Sequence, residues 1–121
     1  MATTSTYPVQ LVLKELLKAS VLLCIAERPV HGYEILDRLE AVGGLGADTG
    51  NLYRLLSRLE EERLVRSSVT PSGLGPARRV YRISKRGQRW LRTYSDTVPA
   101  AIRLLERYAR RYRRLEARVS D

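Results

Sequence analysis

The sequence predicts a mainly α chain with one small β-hairpin, an α+β fold that ends in a long helix. Three observations carry that prediction. Leucine-rich stretches in the first half repeat at three- and four-residue spacing, the period of an amphipathic helix. A Gly/Pro-rich segment, "PSGLGPA", then separates two short β-prone runs. From Ser84 onward, one apolar series continues in steps of three or four residues to the end of the chain.

The elements follow in order. Residues 1–7 are polar and are expected to form a disordered lead. Pro8 suits the first turn of a helix, and Val9 to Glu27 is expected as one continuous helix. Its Val12, Leu16, Val21 and Ile25 recur with helical spacing, while Leu11 and Leu22 widen the apolar surface enough for contact on two sides. Pro29 ends it. "VHGYEILDRLEAVGG" reads as a second helix, with Tyr33, Ile35, Leu36 and Leu39 as apolar surface and Gly43–Gly44 as the stop. The third runs from Thr49 to about Arg63, capped by Asp48, with Leu52, Leu55, Leu56 and Leu59 as its buried stripe.

"LVRSSVT" and "RRVYRIS" are the two arms of the hairpin, joined by a loop too long for a tight turn. The last helix starts after Ser84, and Leu91, Tyr94, Val98, Ile102, Leu105, Tyr108 or Ala109, Tyr112, Leu115 and Val119 form its seam. Pro99 interrupts its hydrogen bonding, but the phase of the seam does not slip there, so a kink within one helix is expected. The chain therefore divides into a lead (1–7), a compact domain (8–83) and a C-terminal dimerisation helix (84–121). No other helix follows to cover so long a seam, which predicts a homodimer, the alternative being burial within one subunit.

Composition narrows the function. A chain of 121 residues with 44% hydrophobic and 29% charged residues can bury one small core. A net charge of +9 and a pI near 10.3 point to a polyanionic partner, nucleic acid before anionic membrane. Cys24 is the single cysteine and sits in an apolar run, so it reads as a buried thiol and no cofactor or thiolate metal site is expected. One histidine, His31, leaves little for a metal site, and its place before a helix suits capping or packing. There is no phosphate-binding P-loop, and "GGLGAD" follows a helix rather than a strand, which removes the dinucleotide reading. Glu60, Glu61 and Glu62 have basic neighbours and read as exposed pairs rather than an acid/base dyad. With no signal peptide and no membrane-length apolar run, the expectation is a cytoplasmic protein that is not an enzyme and has no membrane partner.

Three helices, a long-looped hairpin and a final helix form the order of a winged helix-turn-helix, in which the second helix of the pair enters the major groove. With the leucine stripe turned inward, Thr49, Gly50, Tyr53, Arg54 and Arg58 face outward and Asn51 stands at the helix start. Arg54 and Asn51 have the geometry to pair with purine edges. The hydroxyls of Thr49 and Tyr53 suit phosphates, and Gly50 lets the positive helix end approach one closely. Arg78 and Arg79 follow the loop of the hairpin, where guanidinium groups meet backbone phosphates or a minor groove. Double-stranded DNA is thus the expected partner. A protein-interaction module turning its basic surface to an acidic partner is the alternative, and RNA is disfavoured by the lack of aromatic stacking platforms. The C-terminal run "RLLERYARRYRRLEARVSD" reads as a solvated basic face or as a second anionic contact, with flanking DNA or an anionic effector such as a nucleotide.

Three blocks, "VHGYEILDRLE", "GNLYRLLSRLEEERLV" and "GPARRVYRISKRGQRWL", closely resemble the PadR family of bacterial transcriptional regulators over residues 11 to 92. The family pattern often opens the recognition helix Pro-Gly-Thr-Leu-Tyr, where this chain has Thr49-Gly50-Asn51-Leu52-Tyr53, and Arg54 replaces a frequent proline. The resemblance implies a homodimeric repressor of a pseudo-palindromic operator, with the C-terminal helices packed on the partner's N-terminal helix. Some members release DNA when a small, often aromatic, molecule enters the dimer-interface cavity. Leu11, Trp90 and Tyr94 are the positions here that would line such an effector pocket, with Tyr7 or Leu11 supplied by the partner; the alternative is that Trp90 and Tyr94 fill the core.

Overall fold

The structure, a computed structural model, describes residues 7–41, 43–70 and 78–119. The expected lead, apart from Tyr7, and the loop of the hairpin lie outside the described residues. Four helices surround a small antiparallel sheet: α1 (Leu16–Glu27), β1 (Val30–His31), α2 (Gly32–Glu40), α3 (Thr49–Glu61), β2 (Val65–Thr70), β3 (Arg78–Ile83) and α4 (Lys85–Val119). This is the winged-helix α+β fold with a long last helix.

β3 is the central strand. It pairs with β2 from Val65↔Ile83 to Thr70↔Arg78, and its other edge takes β1 through Val30↔Tyr81 and His31↔Val80. β1 was not expected. Two residues carry no readable alternation, and its pairing exists only because the turn after α1 brings Val30 against the hairpin.

The leucine stripe of α3 is buried as its spacing required: Leu52, Leu55, Leu56 and Leu59 join Val21, Leu22, Ile25, Ile35, Leu39 and Val65 in the main core. Tyr33, expected on the apolar side of α2, is instead 49% exposed. Ile35 and Leu39 suffice to anchor that helix, which frees Tyr33 for the outer surface.

The first helix also differs from expectation. Val9–Leu11 forms a short 3₁₀ turn, and regular α-helix begins only at Leu16. Between them Val12 is buried in a second cluster with Ala19, Tyr94 and Ala101, and its carbonyl accepts a 2.6 Å hydrogen bond from the Tyr94 hydroxyl. That carbonyl is thereby engaged by a side chain rather than by the helix ladder. Tyr7, placed by sequence in the disordered lead, packs edge-on against both Trp90 (5.8 Å) and Tyr94 (5.2 Å).

α4 begins in a tight clip. The Ser84 hydroxyl shares its one proton between the carbonyls of Arg63 (2.7 Å) and Leu64 (2.9 Å) and accepts from the Gly87 amide at 3.0 Å, capping the helix. A Cβ at Gly87 would collide with the Leu64 carbonyl and lie 2.8 Å from Ile83 Cγ1, so only glycine allows this approach. From there α4 runs through Pro99 as a single element, its seam buried at Tyr94, Thr97 and Ala101.

Candidate nucleic-acid interface

The first turn of α3 is held from outside the core. Asp48 and Asn51 form a reciprocal capping box: Asn51 N–H donates to Asp48 Oδ1 and Asp48 N–H to Asn51 Oδ1, each at 2.8 Å. Asn51 Nδ2 also donates to the Gly46 carbonyl at 3.0 Å. Its amide oxygen and one amide proton are therefore engaged in positioning the helix. The structure places Asn51 in the cap, whereas sequence left capping and outward reach both open.

Thr49, Gly50, Tyr53, Arg54 and Arg58 are all exposed. A Cβ at Gly50 would meet Arg54 Nη1 and Asp48 Oδ1 at 3.4 Å, an ordinary contact, so packing within the chain does not require glycine there. The helix penalty of about 1 kcal/mol relative to alanine is not offset internally. What Gly50 does provide is a helix N-terminus free of side-chain bulk, set between the Arg54 guanidinium and the capping Asp48 carboxylate.

Around this turn the structure assembles residues that sequence had treated separately. The Tyr53 ring lies over Gly32, where an added Cβ would stand 3.0 Å from the phenolic oxygen. Tyr33, next along α2, accepts a 2.9 Å hydrogen bond from Arg78 Nη1, and the guanidinium lies 5.1 Å from the centroid of its ring. On the neighbouring position of β3, Arg79 donates to Ser67 Oγ of β2 at 2.8 Å. Buried Gly32 and Tyr81, with exposed Tyr33, Tyr53, Arg78 and Arg79, thus line a small cleft of about 210 Å³.

The "HGYE" block explains how this cleft is built. His31 precedes α2 in extended conformation with no side-chain cap, and its ring stacks on Tyr33 at 5.5 Å. Its Nδ1 lies 2.9 Å from Glu34 Oε1, and that hydrogen bond holds the Glu34 carboxyl below the usual carboxylate range. His31 is a packing residue rather than a cap. Sequence reasoning missed Tyr33 as the residue that aims Arg78, because the contact is tertiary and no local signal marks it.

Two of the three residues proposed for an effector pocket, Trp90 and Tyr94, belong to one aromatic cluster. Trp90 and Tyr94 stack at 5.3 Å and 11°, and the Tyr7 ring of the same chain covers them. Burial, with the Glu15 carboxylate and Tyr94 adding to it, pushes the Tyr7 phenol up to about 12. Lys18 sits 4.7 Å from the Trp90 ring and 3.0 Å from Glu62. Leu11 is half-buried on the 3₁₀ turn. Cys24 is half-buried too, its thiol raised chiefly by burial. Among the described residues no group of three His, Cys, Asp or Glu side chains is arranged to hold a metal ion, and no helix is long and apolar enough to cross a membrane.

Comparison with known proteins adds relatives to this geometry. The model of the transcriptional regulator PadR-like family matches residues 21–93. The crystal structure of a PadR-like transcriptional regulator from Bacillus cereus is similar at TM-score 0.71 and 28% identity, covering 83% of this chain and 96% of that one. Bacillus subtilis PadR in complex with operator DNA shares the fold at TM-score 0.60 and 21% identity, over 65% of this chain and 46% of that one. An uncharacterized 37.1 kDa protein in transposon TN4556 of Streptomyces fradiae is 35% identical over 101 residues, 84% of this chain. The chain spans 24% of the length of that curated relative.

Proposed function

The chain belongs to the PadR-like family of transcriptional regulators, and from that premise we propose that it binds a pseudo-palindromic operator in duplex DNA as a homodimer and represses transcription there. The observation that carries this reading is the adjacency of the exposed first turn of α3 to the Tyr33–Arg78 clamp. A recognition helix and a phosphate-directed arm must present on one side for a duplex to meet both. Arg54, exposed and one turn into α3, is the residue to read a base edge, with Arg58 a turn further on. Thr49, Tyr53, Arg78 and Arg79 supply phosphate contacts, Gly50 opens the helix end, and Asn51 sets its direction.

The homodimer is supported by the distal half of α4, where Leu105 and Tyr112 are each 51% exposed on the continuing seam. A small molecule that tunes the regulator would have to enter the Trp90–Tyr94 stack by displacing the Tyr7 ring, so Trp90 fluorescence would report its binding. Like other regulators of this kind, the protein would work in the cytoplasm on the chromosome.

Genome-wide footprinting is the test, and discrete palindromic sites are expected. On one such site, Arg54→Ala should relax preference at a single base position at a cost of about 1–3 kcal/mol. An even loss over all sequences would make Arg54 a phosphate contact, and an absence of discrete sites would overturn the reading.

A further inference from the structure

The distal half of α4 has a second organised face. Arg103, Arg107, Arg110, Arg114 and Arg118 follow one another in steps of three or four residues and so form one row along the helix. All five are exposed, and none of their side chains makes a hydrogen bond or ion pair among the described residues. The carboxylates of this segment, Glu106 and Glu116, fall outside the row on the helical projection. The row spans roughly 22 Å of helix and begins roughly 24 Å along the axis from Gly87. It is therefore well separated from the recognition turn of α3 and from the Arg78 clamp.

From this row we propose that α4 carries a second, sequence-independent site for duplex DNA, which grips the phosphate backbone of a segment other than the one read by α3. In its choice of polyanion the proposal rests on the DNA-binding reading above; the surface itself is distinct. Three features select a phosphate backbone. The charges form a straight, evenly spaced line, which complements a linear polyanion better than the scattered carboxylates of a folded protein. They are all arginine, although the chain has Lys14, Lys18 and Lys85, and the guanidinium fork matches phosphate bidentately.

The third feature is that no apolar residue interrupts the row, so it lacks the buried anchor of a protein hot spot. An anionic membrane would need the apolar arc of the same helix to enter lipid. That arc, through Ile102 and Leu105, instead continues the seam that is packed against protein at Tyr94 and Ala101. The apolar arc is thereby assigned to protein, and the arginine row beside it, whose Arg114 and Arg118 border Tyr112 and Leu115, is left to solution. A regulator with this second grip would hold flanking DNA or bridge two duplex segments, with contacts that are electrostatic and strongly salt-dependent.

The experiment uses the full chain with Arg107, Arg110, Arg114 and Arg118 replaced by Gln, and a fluorescent 30-base-pair duplex of random sequence as the probe. Relative to the parent, affinity for the probe should fall at least tenfold at low salt. The slope of log affinity against log salt should become shallower by about 3 to 4, close to 0.9 for each phosphate that the variant leaves unneutralised. Replacement of the same four by Lys should keep most of the slope, which separates removal of charge from altered folding. In contrast, an Arg54→Ala/Arg78→Ala variant should lose discrete genomic sites while still binding the random duplex. Failure of the regulator reading would appear as absent palindromic sites in the parent, with the random-duplex measurement unaffected. Unchanged affinity and slope in the Gln variant would overturn the proposal. So would loss of binding to phosphatidylserine vesicles or to a poly-glutamate peptide with duplex binding intact, because the row would then serve a different partner.

Discussion

The two halves of α4 bear the same sequence pattern and meet opposite surroundings. In the proximal half, Gly87, Tyr94, Thr97 and Ala101 are buried, and Trp90 and Leu91 pack against both core clusters. In the distal half, the same three- and four-residue steps place Ile102, Leu105, Tyr112, Leu115 and Val119 in the open, between 48% and 70% exposed. One half is fixed by α1, the 3₁₀ turn and the end of the hairpin; the other leaves its apolar seam exposed. Periodicity therefore identifies which face of a helix seeks burial, but not what will cover it. A seam that ends within the fold and one that continues beyond it look alike in sequence.

The sharpest way to break the proximal half is Gly87→Ala. The added methyl would meet the Leu64 carbonyl, a backbone group, together with Ile83 Cγ1, and no flexible side-chain end can give way. Overpacking at a backbone–backbone approach should cost about 3 kcal/mol or more. Urea unfolding would read this as a large drop in midpoint. An unchanged midpoint would mean that the first turn of α4 is not clamped to the turn after α3.

Much of this clamp was legible, and much of what surrounds it was not. The Ser84 cap, the Asp48 cap and the inward stripe of α3 all follow from local spacing, because the residues involved lie within one or two helical turns of each other. The outward positions of α3 follow by difference. What sequence did not show is tertiary. Tyr33 had been grouped with the apolar residues, since nothing local reveals that Arg78, far along the chain, will take its hydroxyl. The break before α1 depends on Tyr94, still more remote from Val12 in sequence. β1 exists only as a pairing with β3. Thr49, Gly50, Tyr53 and Arg54 of α3 are exposed as expected, but Asn51 proved to be engaged by Asp48 and Gly46.

The distal half is probed by Leu105→Glu combined with Leu115→Glu. If the chain forms a homodimer through this seam, each leucine contributes about 1.5–3 kcal/mol of burial only after association, and a charge there is costly. Sedimentation should then show a monomer, while the near-ultraviolet dichroism of the Trp90–Tyr94 cluster stays as in the parent. That combination would show that the two halves are energetically separate. If the variant still sediments as a dimer, the seam is not the interface; if the aromatic signal also collapses, the halves are coupled.

Tyr94→Phe is the smallest change and tests the proximal half at its most specific contact. The ring remains to stack on Trp90 and to meet Tyr7, so packing is nearly conserved. Only the hydroxyl is removed, and with it the 2.6 Å donor to the Val12 carbonyl in a buried position. A net loss of about 1 kcal/mol is expected, since one hydrogen bond disappears and its acceptor must find another donor. The nearest remedy is local: the Leu16 amide now donates to Leu13 at 3.3 Å and would reach the Val12 carbonyl if regular α-helix extended backward. Amide exchange at Leu16 should then slow in the variant despite its lower stability. Faster exchange in proportion to the reduced stability would instead show that burial of Val12, rather than the tyrosine hydroxyl, keeps the first helix short.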